Sequence, residues 1–205
     1  MSEPVPTAAG HPTLRRVMAL VALLNLGYFG IEFAVALAIG SVSLFADSID
    51  FLEDTALNGL ILIALAWSPR ARARVGMGLA MVLLIPALAA LWSLWRKLHL
   101  PLPPAPLPLT LAGLGALAVN LGCALLLTRV RHHRGSLTRA AFLSARNDVF
   151  ASVAIVLAGI ATALMPSVWP DVLVGAGIMV LNADAAREVW QAARSEHRAA
   201  IPPAR

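Results

Sequence analysis

The amino-acid sequence predicts an all-α membrane protein, a bundle of six transmembrane helices with both termini cytoplasmic. Three observations carry that expectation. Hydrophobic residues make up 59% of the chain and charged residues 13%, about half the charged share of a soluble domain. The excess apolar surface has to face lipid. The apolar residues also gather into six runs, near 17–39, 43–67, 75–95, 108–128, 141–164 and 171–191. Each is close to the roughly 20 residues that cross a hydrocarbon core about 30 Å thick. The third observation is the distribution of positive charge. Arg15, Arg16, Arg70, Arg72, Arg74, Arg129, Arg131, Arg134, Arg139, Arg187, Arg194, Arg198 and Arg205 fall on one side of the runs, against Arg96 and Lys97 on the other. Basic residues accumulate on the cytoplasmic side, which sets the orientation.

The elements follow in order. Residues 1–16 form an N-terminal cytoplasmic segment, 17–191 the transmembrane domain and 192–205 a short cytoplasmic tail. The first run follows Arg15 and Arg16 but is too long for a signal-peptide core and lacks a small-residue cleavage site, so it is read as a retained span. Gly40-Ser41, Ser68-Pro69, Pro101 to Pro108, Gly135-Ser136 and Pro166 to Pro170 mark the five connections. The proline-rich stretch from Pro101 to Pro108 is expected to be extended rather than helical. Trp67, Trp92, Trp95, Trp169 and Trp190 lie near span ends, where an interfacial belt is expected. The net charge of +5 comes from short clusters between spans and forms no basic face, so nucleic-acid binding is not expected. Cys123 is the only cysteine and reads as a small buried hydrophobe. All five histidines lie outside the spans and no nucleophile–base pair lies within them, so an enzyme is not expected.

The informative residues are carboxylates where lipid should exclude them. Each costs about 2.5–3.5 kcal/mol at a helix centre on the insertion scale. The second span carries Asp47, Asp50, Glu53 and Asp54, the fifth carries Asp148, and the first carries Glu32. At 100° per residue Asp47, Asp50 and Asp54 fall within about 60° of one another. Ser144, Asn147 and Asp148 share a face of the fifth span by the same reckoning. Asp54 and Asp148 both lie about 15–20 Å from the cytoplasmic ends of their spans. They can meet near mid-membrane, where four or five oxygen donors would suit a divalent cation. Glu32 or Glu53 alone could be a plain helix–helix hydrogen-bonding group. Three clustered acids repel one another and lack that explanation.

With these residues in view the chain resembles the cation diffusion facilitator family, the proton-coupled divalent-metal exporters, over roughly residues 20–190. The similarity rests on Asn25 and Glu32 in the first span and on the run from Gly40-Ser41 through Ala46-Asp47 to Asp50 and Asp54. It continues at Val119-Asn120, at Ala140 to Asp148, and at Pro170-Asp171. The resemblance implies a metal site at Asp50, Asp54, Ser144 and Asp148. Where the family commonly has histidine, this chain has Asp50 and Ser144. Serine is a weak ligand, so Asn147, one turn along, is the candidate for the missing donor and is expected to matter more to affinity than Ser144; Asp47 completes the candidate set. The resemblance also implies a cytoplasmic domain for which the tail leaves no room. Arg146 is expected to pair with Glu53 or Asp184, or to snorkel. Asn25 and Asn120 read equally as partners orienting carboxylates or as inter-helix hydrogen bonds. His132 and His133 read as part of a solvated basic loop.

The function expected is a multi-pass transporter of the cell (inner) membrane that exports divalent transition-metal ions of the zinc, cobalt, manganese, iron or cadmium class in exchange for protons. Its partners would be the divalent ion, protons and the lipid bilayer. The metal is cargo rather than a resident cofactor. Small-residue faces at Gly76, Gly78, Ala80, Ala87, Ala89 and Ala90, and at Gly175, Ala176 and Gly177, offer a homodimer contact through the spans. The rival readings are a non-transporting metal-binding scaffold or sensor subunit, and a proton-coupled exporter of organic cations.

Overall fold

The computed structural model describes residues 12–64, 87–130 and 135–182, and these are helical almost throughout. The helices are α1 (Pro12–Ile39), α2 (Val42–Ala64), α3 (87–99), α4 (Pro106–Thr128), α5 (Gly135–Leu164) and α6 (Trp169–Asn182). Among the described residues, Pro12–Ile39, Pro106–Thr128 and Ser144–Leu164 are long and apolar enough to cross a membrane. The protein is an α-helical transmembrane bundle. The beginning of span three, the end of span six, Trp67, Trp190, Asp184, His132, His133, Gly76, Gly78, Ala80 and both terminal segments lie outside the described residues.

The boundaries depart from expectation in instructive ways. The proline-rich stretch is extended only to Ala105, and Pro106 and Pro108 sit in the first turn of α4. The first-turn amides of a helix have no intrahelical partner, so proline sacrifices nothing there and its fixed φ favours the start. Helix α5 likewise begins at Gly135 rather than after it, and α1 begins at Pro12, placing Arg15 and Arg16 on the helix.

The α1–α2 connection occupies two residues. Gly40 has φ +63°, and the Ser41 N–H reaches back to the Ala36 carbonyl at 3.0 Å. This is the closure of a helix on a left-handed residue, for which glycine carries no Cβ penalty. Ser41 then caps α2, its Oγ accepting from the Leu44 N–H at 3.2 Å. The remaining donors of that helix end go to one carboxylate. Asp171 of α6 is fully buried and accepts from the Val42 and Ser43 N–H groups at 2.9 and 3.1 Å. It also accepts from the Ser41 and Ser43 hydroxyls at 2.6 and 2.7 Å. An anion at a helix N-terminus meets both the free amides and the positive end of the helix dipole. Lys97, at the end of α3, donates to the Gly40 carbonyl at 2.6 Å, so four helices converge on this turn.

Packing follows the small residues. A Cβ on Gly113 would stand 2.8 Å from Ile155, and Gly159 closes the same α4–α5 contact against Thr110. Gly175 lets α6 lie on the backbone of α2, with Val42 C at 2.8 Å and Ser43 N at 2.9 Å from its ideal Cβ. Gly175 and the buried Ala90 are therefore used within the chain, which corrects the expectation that these small residues are free for a second copy. The bundle is apolar outward as well as inward. Leu23, Leu37, Leu107, Leu125, Leu157 and Leu173 stand exposed, a surface suited to lipid rather than water. Trp92 and Trp95 stack at 4.8 Å near the end of α3 and are exposed, as is Trp169. That matches the expected belt.

Candidate cation site

Helix α2 runs beside α1 and α5, so its polar stripe cannot avoid the interior. Asp54 is buried and accepts a hydrogen bond from the Ser144 hydroxyl of α5 at 3.1 Å. Asp148, one turn along α5, lies beside Asp54 and faces Asp50. Among the described residues, the charged groups near Asp50 and Asp148 are other carboxyls. Asp50 in turn accepts from the Asn182 side-chain amide of α6. The fifth helix is fixed at this level by a relay: the Asn120 amide donates to the Ser152 hydroxyl at 3.0 Å, and Ser152 donates to the Asp148 carbonyl at 2.8 Å. Asn120 is thus an inter-helix bond that reaches the carboxylate's backbone and not its oxygens.

The structure thus places Ser144 on Asp54 with Asp148 beside it, and Asp50 one turn earlier on the same stripe of α2, while two candidates lie elsewhere. Asn147 is exposed and lines a groove with Phe150, Ala151, Val174, Gly177 and Leu181 between α5 and α6. The expectation that it shares the face of Ser144 and Asp148 is corrected. Relative to Ser144, Asp148 lies about 40° to one side and Asn147 about 60° to the other, and the helix turns the Asp148 side inward. Replacing Ser144 with Ala is accordingly expected to weaken cation affinity more than replacing Asn147, by a few-fold for the loss of one hydroxyl. Titration of both purified variants with a divalent cation checks this, and the reverse order would restore Asn147.

Asp47 lies beside Glu32. Both side chains are fully buried next to one another across the α1–α2 contact. Neither finds a hydrogen-bond partner among the described residues. Asp47 lies three residues from Asp50, roughly 4.5 Å along the helix, so the acidic stripe continues past the cluster toward the Gly40 turn. Asn25 is also buried, its Oδ1 3.8 Å from the Cys123 sulfur and its amide nitrogen without a partner among the described residues. Arg146 is exposed. Among the described residues no three acidic, histidine or cysteine side chains converge tightly enough to enclose one ion.

The residue that sequence reasoning missed is Asn182. Its signal is an uncharged amide near the end of an otherwise apolar run, which spacing alone does not connect with Asp50.

Buried, neighbouring carboxyls in a membrane-spanning helix bundle mark a functional site of the kind found along ion pathways. The model of the cation efflux transmembrane domain matches residues 18–195, and the chain belongs to the cation efflux family. The resemblance first drawn from Asp47, Asp50, Asp54 and Asp148 is borne out at the level of the family. No curated protein matches the chain.

Proposed function

We propose that this cation efflux protein exports divalent transition-metal ions from the cytoplasm in exchange for protons, with Asp50, Asp54, Ser144 and Asp148 as the transport site. The observation that supports this most directly is the meeting of α2 and α5 at Asp54 and Ser144, with Asp148 alongside. Several carboxyl oxygens at one place favour a divalent over a monovalent cation, and oxygen donors without thiolates select against soft ions. A carboxylate must be ionised to hold a metal, so cation and proton compete for the same oxygens. Exchange then needs two conformations of opposite access, each favoured by one of the competing ligands.

The organic-cation reading gains no support from the aromatic residues. Phe51 is buried against Tyr28, with centroids 5.1 Å apart, and Phe150 lines the separate α5–α6 groove. The test is a panel of Zn²⁺, Co²⁺, Mn²⁺, Fe²⁺ and Cd²⁺ applied to proteoliposomes holding an internal pH reporter. The expected result is saturable uptake of at least one ion, with proton movement in the opposite direction. No flux for any ion would favour the scaffold or sensor reading. Metal flux without proton movement would remove the exchange.

A further inference from the structure

Helix α6 brings one polar side chain to the acidic cluster, and its placement is set by packing two turns away. Gly175 rests on Val42 and Ser43, and Asn182 meets Asp50. The interval is seven residues on α6 and eight from Val42 on α2, so the two helices run parallel and in register for about 10–12 Å. Asn182 thus reaches Asp50 because Gly175 permits the backbones to approach.

The chemistry of the contact is directional. The Asn182 amide nitrogen donates to Oδ1 of Asp50. That bond engages Oδ1 and not Oδ2, and Asp148 is among the carboxyls near Asp50. A carboxylate held at one oxygen by an amide donor cannot rotate freely, and it presents the second oxygen at a fixed angle. Partners that orient ligating carboxylates are worth about ten- to hundredfold in metal affinity.

We propose that Asn182 is a positioning residue for the transported cation, holding Asp50 so that its free oxygen points into the cluster with Asp54 and Asp148. Cation recognition is thereby a property of three helices, α2, α5 and α6. The inference rests on the reading of Asp50, Asp54 and Asp148 as the transport site, and its test separates the two.

Initial rates of Zn²⁺ and Co²⁺ transport in proteoliposomes are measured over a range of ion concentrations for the wild type, Asn182→Ala, Asn182→Leu and Asn182→Gln. Loss of the donor is expected to raise KM about tenfold or more with the maximal rate within about twofold of wild type. Asn182→Gln keeps an amide donor on a longer arm and is expected to recover part of the loss. A merely structural role would instead lower the amount of folded protein and the maximal rate, leaving KM in place. A wild-type KM in both Asn182→Ala and Asn182→Leu overturns the inference while leaving the transport site standing. Failure of the wild type to transport or bind any ion overturns the underlying reading. Should the Ala and Leu variants fail to insert, Asn182→Ser (a shorter side chain that cannot span the same gap) is expected to show the raised KM, and a wild-type KM there overturns the inference too.

Discussion

Replacing Asp54 or Asp148 with Ala is expected to abolish cation transport, lowering the rate by at least about a hundredfold, while leaving folded protein in the membrane. The two halves of that outcome have different physical origins. In the proposed site each carboxylate would supply both charge and a ligand atom, and a divalent ion that lost either would find a site of the wrong charge and shape. Asp54 also carries the hydrogen bond from Ser144 that joins α2 to α5. Removing a carboxyl from a span makes insertion easier by about 2.5–3.5 kcal/mol on the insertion scale, so poor membrane integration is not expected to account for the loss. Expression, gel-filtration profile and flux measured on the same preparation check both halves. Near-wild-type flux in Asp54→Ala or Asp148→Ala would take that residue out of the site.

The second large effect falls far from the carboxyl cluster. Asp171→Ala is expected to destabilise the protein by on the order of 4 kcal/mol, because it leaves two backbone amides and two hydroxyls of the Gly40 turn without their acceptor. Asp171→Asn is expected to be almost as harmful. An amide has one acceptor oxygen where the carboxylate uses two, and its NH₂ would point at the N–H of Val42 or Ser43. The loss extends to Lys97, whose ammonium feels the Asp171 charge and donates to Gly40. Thermal unfolding in detergent or nanodiscs gives the shift in Tm. An unchanged Tm in Asp171→Ala would mean that water or a rearranged turn replaces all four contacts.

Much of this architecture is legible in the sequence, and the reasons are local. Hydropathy and turn residues locate the spans because lipid tolerates few alternatives to a continuous apolar helix. The stripe of Asp47, Asp50 and Asp54 follows from helical periodicity alone. What periodicity lacks is the direction in which a helix is rotated within the bundle. In one dimension the longer carbonyl arm of Asn147 outranks Ser144, and only the packing of α5 against α2 reverses that order. Asp171 is visible as part of Pro170-Asp171, yet its four bonds end on residues about 130 positions earlier in the chain. Asn182 is hidden for the same reason, since its partner Asp50 lies 132 positions away. The Pro106 boundary differs for another reason: a run of prolines reads as a helix breaker, yet proline in the first turn is a helix starter.

The chain's single thiol gives this bundle a built-in clock. Cys123 is fully buried in the cluster that joins α1 and α4, against Met18, Val21 and Leu127. A membrane-permeant maleimide can alkylate it only when that seam parts, so the labelling rate follows the share of time the seam stands open, without any engineered residue. Cations or protons that hold α1 against α4 slow the clock, and those that loosen the seam speed it.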